Sequence, residues 1–440
     1  MPKLLQAVMD SLRHPELRRK LLFTFGILVI FRFMAHIPLP GVDAVALRKL
    51  FDAGDMPLLG MLDLFTGGAL RNFSIVAVGI FPYITASIIM QLLVPVIPQL
   101  QALSKEGEGG KNKLKQYTLW LTVPLAMLSG YGQLVLFSRP LVAGIEPAIR
   151  DVGFQLPTIS MVLSLTAGTM LLVWLGERIT ESGIGNGISI IIFGGIVAGM
   201  PEQMMLTHEV ARIGGLLSLI ILMVVIALLI VFVTEASRRV PVQYSRSTFR
   251  GGRVYRQSGG THIPLKVNST GMIPIIFAFA IIMFPPTIAS YFANPVGQDP
   301  NLANWIQDAF NPAGDYWWAY YGFLFLLVVG FTFFYTIVTF EQQNIPETLQ
   351  KQGGFIPGIR PGRSTAEYVN GVLMRITWGG AIFLGFIAIS PVVAQWAAGV
   401  DVPVMIIGGV GLLIAVGVIL DTMRQMEAQL LMRHYEGFIK

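Results

Sequence analysis

Met61-Leu62-Asp63-Leu64-Phe65-Thr66-Gly67-Gly68-Ala69-Leu70, then Arg71-Asn72, then an apolar run from Phe73 past Leu93, form a stretch too long for one membrane span. A helix needs about 20 apolar residues to cross the hydrocarbon core. The part from Phe73 onward meets that length and reads as a full helix. The ten-residue piece before it does not, and a diglycine interrupts it near its end. Placed at membrane depth, such a piece must be buried in protein or line a cavity, because lipid cannot satisfy its backbone ends. Two placements stay open on these residues: an amphipathic helix lying on the surface, or a re-entrant helix that blocks a pore.

Outward from this stretch, apolar blocks of near-spanning length recur along the chain. They fall at Leu21–Ile37, Phe73–Ile97, Tyr117–Phe137, Leu156–Leu175, Ile188–Met200, Gly214–Thr234, Met272–Phe292, Tyr316–Phe340, Val372–Ala394 and Val404–Leu420. Ile188–Met200 is short and must borrow from its flanks. The first block follows a basic stretch but carries Arg32 and lacks a small-residue cleavage site, so it reads as an uncleaved first helix. The fold class is therefore an all-α polytopic membrane protein with ten transmembrane helices. Composition agrees: 54% of the 440 residues are hydrophobic and 13% charged, against about 25% charged in soluble domains.

Charge placement sets the orientation. Lys3, Arg13, Arg18, Arg19 and Lys20 precede the first span, and Lys105, Lys111, Lys113 and Lys115 separate the second from the third. Arg238 to Lys266 hold seven cations between the sixth and seventh spans, and Lys351, Arg360, Arg363 and Arg375 fall between the eighth and ninth. Arg424, Arg433 and Lys440 end the chain. The alternate loops are poor in cations, and Ala293 to Asp315 has none. Ten crossings put every basic segment on the cytoplasmic side, with both termini there. Ten also divides into five and five, so the halves 1–213 and 214–440 run in opposite directions. That is the arithmetic of an inverted repeat with a pathway between its halves.

Function classes can be excluded or weighed on the same residues. With no cysteine, disulfide and thiol chemistry are absent. The five histidines are scattered, with no helical metal-binding pair, and no nucleophile–base constellation occurs, so neither a catalytic nor a metal site is expected. Gly107-Glu108-Gly109-Gly110-Lys111 lacks phosphate-loop spacing and reads as a flexible turn. Arg32 is the one clear charge inside a span, read as a structural partner or snorkelling group. The lack of intramembrane carboxylates disfavours an ion-coupled solute transporter. An insertase or scaffold without a pore is the other rival. Ile80 and Ile84, and Ile188 and Ile192, are one helical turn apart and share a face, which ordinarily means lipid or core packing. Ile276 and Ile414 read the same way. Gly195 and Gly199 fit a helix-contact spacing.

Two cytoplasmic loops stand out, 235–268 and 341–371. In the first, Val240–Tyr244 and Arg253–Tyr255 have strand composition about Arg250-Gly251-Gly252, predicting a basic hairpin. The second carries Gly353-Gly354-Phe355-Ile356-Pro357-Gly358-Ile359-Arg360-Pro361-Gly362, rich in turn formers. Two cationic loops of this length suggest docking of something negatively charged, such as ribosomal RNA or an acidic protein face.

Four motifs then carry a resemblance. Gly79-Ile80-Phe81-Pro82-Tyr83-Ile84-Thr85-Ala86-Ser87-Ile88-Ile89-Met90-Gln91 is similar to the second span of the SecY family of bacterial protein-conducting channels. Glu181-Ser182-Gly183-Ile184-Gly185-Asn186-Gly187-Ile188-Ser189-Ile190 resembles its fifth-span start. Thr261-His262-Ile263-Pro264-Leu265-Lys266-Val267-Asn268 and Phe355–Gly362 resemble its two cytoplasmic-loop signatures. The resemblance covers the whole chain in order.

It implies two inverted-repeat halves around an hourglass pore, in the bacterial cytoplasmic membrane. Unfolded secretory polypeptides would cross, and transmembrane helices would leave sideways into lipid. Met61, Leu62, Asp63, Leu64, Phe65, Thr66, Gly67, Gly68, Ala69 and Leu70 would be the re-entrant plug. Ile80, Ile84, Ile188, Ile192, Ile276 and Ile414 would be the pore ring, whose stiff apolar side chains exclude ions by dewetting. Gln91 and Asn268 would lie at a lateral gate between the second and seventh spans. Arg239, Arg253 and Arg360 would dock a motor ATPase or the ribosome, although Gly252 stands where relatives often carry a paired arginine. The partners implied are the small membrane subunits SecE and SecG, the motor SecA, the ribosome and its RNA, signal peptides and nascent chains, the lipid bilayer, and SecDF or YidC. The chain would be a passive channel, not an enzyme, and would need no cofactor.

Overall fold

A computed structural model describes residues 14–52, 60, 63, 66–138, 147–149, 152–153, 155–244, 247–250, 253–256, 260–294, 299–312, 314–343, 345–351, 353–360, 362–398 and 409–436. The elements run α1 (Pro15–Met34), α2 (Ala44–Asp52), α3 (Phe81–Val96), α4 (Pro98–Lys105), α5 (Glu108–Phe137), α6 (Leu156–Ser182) and α7 (Gly187–Glu235). Four strands follow: β1 (Ser237–Tyr244), β2 (Ser247–Arg250), β3 (Arg253–Arg256) and β4 (Gly260–Lys266). The chain ends through α8 (Ile273–Phe292), α9 (Leu302–Ala309), α10 (Trp317–Gln343), α11 (Ile345–Lys351), β5 (Gly354–Phe355), α12 (Arg363–Ala398) and α13 (Gly409–Glu436).

Each of the ten apolar blocks contains a described helix. Six segments are long and apolar enough to cross a membrane unaided: Glu108–Phe137, Leu156–Ser182, Ile213–Glu235, Trp317–Phe340, Arg363–Ala394 and Gly409–Leu430. Gly187–Pro201 and Ile273–Pro286 are shorter apolar helices. The first-block helix, α1, carries Arg18, Arg19, Lys20 and Arg32 and buries only one side, leaving Leu22, Phe25 and Phe33 exposed. Ile213–Glu235 is only 11% buried. Apolar surface on that scale is untenable in water and matches lipid.

Helix α7 is hydrogen-bonded as a helix over 49 residues, and a straight run of that length would be about 70 Å long. Its two ends nevertheless reach adjacent residues of α13. The amide of Gly185, just before α7, donates to Gln425 Oε1 at 2.8 Å, and Glu235 at its end pairs with Arg424. Met204, Leu219 and Met223 meet in one cluster with Ala394 of α12. The run therefore doubles back in its middle, near Pro201, and supplies two antiparallel crossings.

One expectation is corrected. The second span does not begin at Phe73, because Phe73 to Ile80 form successive turns and the helix starts only at Phe81. Phe73 and Gly79 have φ of 41° and 64°, outside helical space. The segment is stitched to the end of α1 instead: Leu39 N donates to Phe73 O, and Ile75 N to Ile37 O. Phe73, Val76 and Ala77 are fully buried, so protein rather than lipid surrounds this irregular backbone. At the other end Ile97 is extended, as a residue before proline must be. Helix α4 departs from α3 there at 99°.

The cytoplasmic loops carry a second correction. Val240–Tyr244 does not pair with Arg253–Tyr255. Strand β1 pairs with β4 from Ser237↔Lys266 to Gln243↔Gly260, while β2 pairs separately with β3, Arg250 opposite Arg253. The turn residues Gly251 and Gly252 lie outside the described residues. Strand β1 also pairs with β5 through Gln243↔Phe355 and Tyr244↔Gly354, so the two loops share one sheet ordered β4-β1-β5. Val240, Val242, Leu265, Leu349, Ile356 and Val369 form a small core beneath it.

Candidate functional site: a closed apolar constriction

The largest core cluster lies where α1, α3, α6, α7, α8, α10, α12 and α13 converge. At its centre is a cavity of about 20 Å³, lined by Ile80, Phe81, Ile84, Ile192, Ile276, Phe279, Val410 and Ile414. Four segments supply these groups. Ile80 caps α3, and the Ile84 amide donates to its carbonyl at 3.1 Å, so the two side chains rise one turn apart. Helix α7 brings Ile192, α8 brings Ile276 and Phe279, and α13 brings Val410 and Ile414. The space suffices for about one water, and a site lined only by hydrocarbon gives that water no partner. Five of the six expected isoleucines therefore gather here. Ile188 does not line the cavity. It is half-buried, and a Cβ on Gly176 would lie 3.0 Å from its Cγ1.

The end of the short piece reaches the same cluster. Thr66, Gly67, Ala69 and Leu70 are buried, and Ala69 packs with Ile80, Ile192 and Ile414. For these residues the surface-lying placement is overturned. Met61, Leu62, Leu64 and Phe65 lie outside the described residues. Gly67 and Gly68 take φ of 69° and 80°, a conformation glycine adopts without cost. A Cβ on Gly67 would come within 2.8 Å of Gly195 Cα in α7. Asp63 Oδ1 accepts from the Arg71 amide at 2.8 Å, and its carbonyl accepts from Gly68 N. Arg32 donates through Nη1 to the Gly67 carbonyl.

Helix α3 packs against α8. Gln91 on α3 donates to Ser87 at 3.2 Å within its own helix, and its buried Oε1 has no partner. Asn268, 5% exposed ahead of α8, accepts from Thr270 at 3.4 Å. Each amide bonds within its own segment.

On the cytoplasmic sheet, Arg239 projects exposed from β1, and Arg360 stands exposed just after β5. The β1–β5 pairing puts both cations on one rigid unit. Arg253 opens β3 on the separate hairpin. Where the sheet joins the spans, Glu235 and Asp421 both approach Arg424, at 2.5 and 3.6 Å. Lys266 lies beside them, held below the usual lysine range by burial and then by Arg424, with Asp421 and Glu235 opposing.

The sequence profile of the SecY family matches residues 74–423. The chain is 45% identical over 444 residues to the protein translocase subunit SecY of Streptomyces griseus, covering 98% of each chain. The chain belongs to the SecY family. It is accordingly a translocase subunit. Its fold is also found in two solved structures. One is a SecY in which the plug domain stabilises the closed state of the translocation channel and maintains a membrane seal, at TM-score 0.62 and 17% identity, covering 93% of this chain and 91% of that one. The other is Sec61 in the canine ribosome–channel complex of the endoplasmic reticulum, at TM-score 0.57 and 17% identity, with the same shares covered.

Within this SecY-family chain the structure adds residues that sequence reasoning missed. Phe81, Phe279 and Val410 line the constriction with the isoleucines. Phe81 adjoins Ile80, and Phe279 follows Ile276 by three, so helical spacing was their only available signal. The Gly195 spacing read as helix contact, whereas its closest approach is to Gly67.

Proposed function

We propose that the chain is the protein-conducting pore of a bacterial cytoplasmic membrane, multi-pass with both termini in the cytoplasm. Unfolded secretory polypeptides cross between the halves 1–213 and 214–440, and apolar helices leave sideways between α3 and α8. The observation that carries this reading is the convergence of Ile80, Ile84, Ile192, Ile276 and Ile414 on a cavity of about 20 Å³. A ring of stiff hydrocarbon side chains blocks ions by dewetting and has no chemical preference for the chain passing through it. Ile188 completes the ring by a rotation of α7 toward the axis during opening. Residues 61–70 are the plug, and their buried end against the ring supports that role.

The remaining roles follow from position. Gln91 and Asn268 make exchangeable polar contacts at the lateral gate, and their local bonding leaves them free to part. Arg239, Arg253 and Arg360 dock SecA or the ribosome, and the joined sheet supports a single surface for both loops. Energy comes from that partner, not from this chain, and SecE, SecG and SecDF or YidC are its membrane companions. Reconstitution in vesicles with SecE, SecG, the motor ATPase and a secretory precursor tests the reading. Precursor protected from external protease in an ATP-dependent way is expected. Protection no higher than in vesicles lacking this chain refutes it.

A further inference from the structure

Arg32 is a costly residue. Placing a guanidinium inside an apolar helix costs several kcal/mol unless it finds a partner, so its target is informative. The target is neither a carboxylate nor the helix's own backbone, but the carbonyl of Gly67, 35 residues on. Gly68 follows closely, since a Cβ there would lie 3.8 Å from Nη1. Beyond this point the chain is fastened to α1 by backbone bonds: Asn72 Nδ2 to Ala35 O at 3.4 Å, Ile75 N to Ile37 O at 3.1 Å, and Leu39 N to Phe73 O at 2.9 Å. Ser74 N also bonds back to Ala69 O. Residues 69–75 are thus a fixed base.

Between the base and the residues before it lie Gly67 and Gly68, both at positive φ. Two glycines in sequence allow large φ/ψ changes at little steric cost, as a hinge requires. We propose that Gly67-Gly68 is the hinge of the plug and that Arg32 is the latch that holds it shut. The inference rests on the plug reading above. Because the latch grips a backbone carbonyl, it is indifferent to the plug's side chains and sensitive only to the hinge conformation. Swinging the plug rotates the Gly67 peptide and removes the acceptor, and the guanidinium is then re-solvated by water entering the opened pore. Gly195 seats the same peptide from the other side, where a Cβ on Gly67 would meet it at 2.8 Å. A lysine reaches the carbonyl as a point donor and holds it partly; a glutamine of shorter reach does not.

Single-channel conductance in planar bilayers, with purified full-length translocase, tests this through four proteins: unaltered, Arg32→Gln, a deletion of residues 61–66, and the deletion combined with Arg32→Gln. Arg32→Gln is expected to raise resting open probability severalfold, Arg32→Lys less, and the combined protein to match the deletion alone. Thermal unfolding and detergent elution confirm that each variant is folded. A silent deletion sinks the plug reading itself. A leaky deletion beside a silent Arg32→Gln sinks the latch while sparing the plug. Leaks that add in the combined protein show that Arg32 acts elsewhere than on the hinge, and overturn the proposal.

Discussion

Glu235 and Arg424, 189 residues apart, meet at 2.5 Å where the cytoplasmic sheet leaves the sixth crossing. The next residue of α13, Gln425, receives the Gly185 amide at the start of the fifth crossing. Lys20 Nζ reaches Gln429 at 3.3 Å, and Leu17, Ile184, Met423 and Met426 pack together beneath. One helix end thus fastens the base of the sheet to the first and fifth crossings. The pair itself is half-exposed, at 32% and 54%, so its coupling is about 0.5–1 kcal/mol. A double-mutant cycle on thermal unfolding in detergent, using Glu235→Arg and Arg424→Glu, should show each single change destabilising and the exchange restoring part of the loss. Strictly additive effects count against the pair.

Glycine packing gives a sharper stability prediction. A Cβ on Gly187 would lie 1.8 Å from the Gly176 carbonyl, where α7 begins against α6. Gly187→Ala is expected to cost about 1–3 kcal/mol by overpacking. Gly214, with open space around it in the same helix, should tolerate alanine and gain slightly from helix propensity. Unfolding midpoints of the two variants compared with the unaltered chain provide the check.

Polar substitution in the constriction should wet it. Ile192→Asn or Ile276→Asn supplies a donor and acceptor to a cavity that otherwise has none, so ion leak in planar bilayers should rise severalfold. Ile188→Asn should leak less, because Ile188 lies outside that cavity in the closed arrangement. Equal leaks from all three would contradict this packing.

Arg360 is exposed, and its own carbonyl accepts from Thr365 Oγ1 at 2.9 Å. Reversing its charge should therefore leave the local turn intact. Arg360→Glu is expected to abolish most motor-driven export, while the variant still inserts and accumulates in the membrane. Normal export by it would remove the docking role.

How much of this was legible in the sequence follows from what each signal depends on. The bilayer imposes runs of near-spanning length and a charge bias, so the ten blocks and their direction could be read from local composition. Phe73–Ile80 could not, since an apolar run has the same composition in a helix as in buried turns. What decides it is bonding to Ile37 and Leu39, far back in the chain. The joining of the two cytoplasmic loops likewise depends on Gln243 meeting Phe355, a register that neither loop announces alone. Ile80–Ile84 and Ile188–Ile192 were visible as helical pairs. Helical spacing left open whether such pairs met one another or lipid, and the packing of four segments separates Ile192 from Ile188.

Because the chain has no cysteine, a single engineered thiol reports the polypeptide path without background. A secretory precursor carrying one cysteine is arrested midway, and its disulfide to Ile192→Cys at the constriction is compared with that to Val224→Cys, which is 54% exposed on the apolar outer face. The channel account predicts an ATP-dependent disulfide at position 192 and none at 224. A disulfide at 224 with none at 192 would place the moving chain outside the constriction and contradict the account.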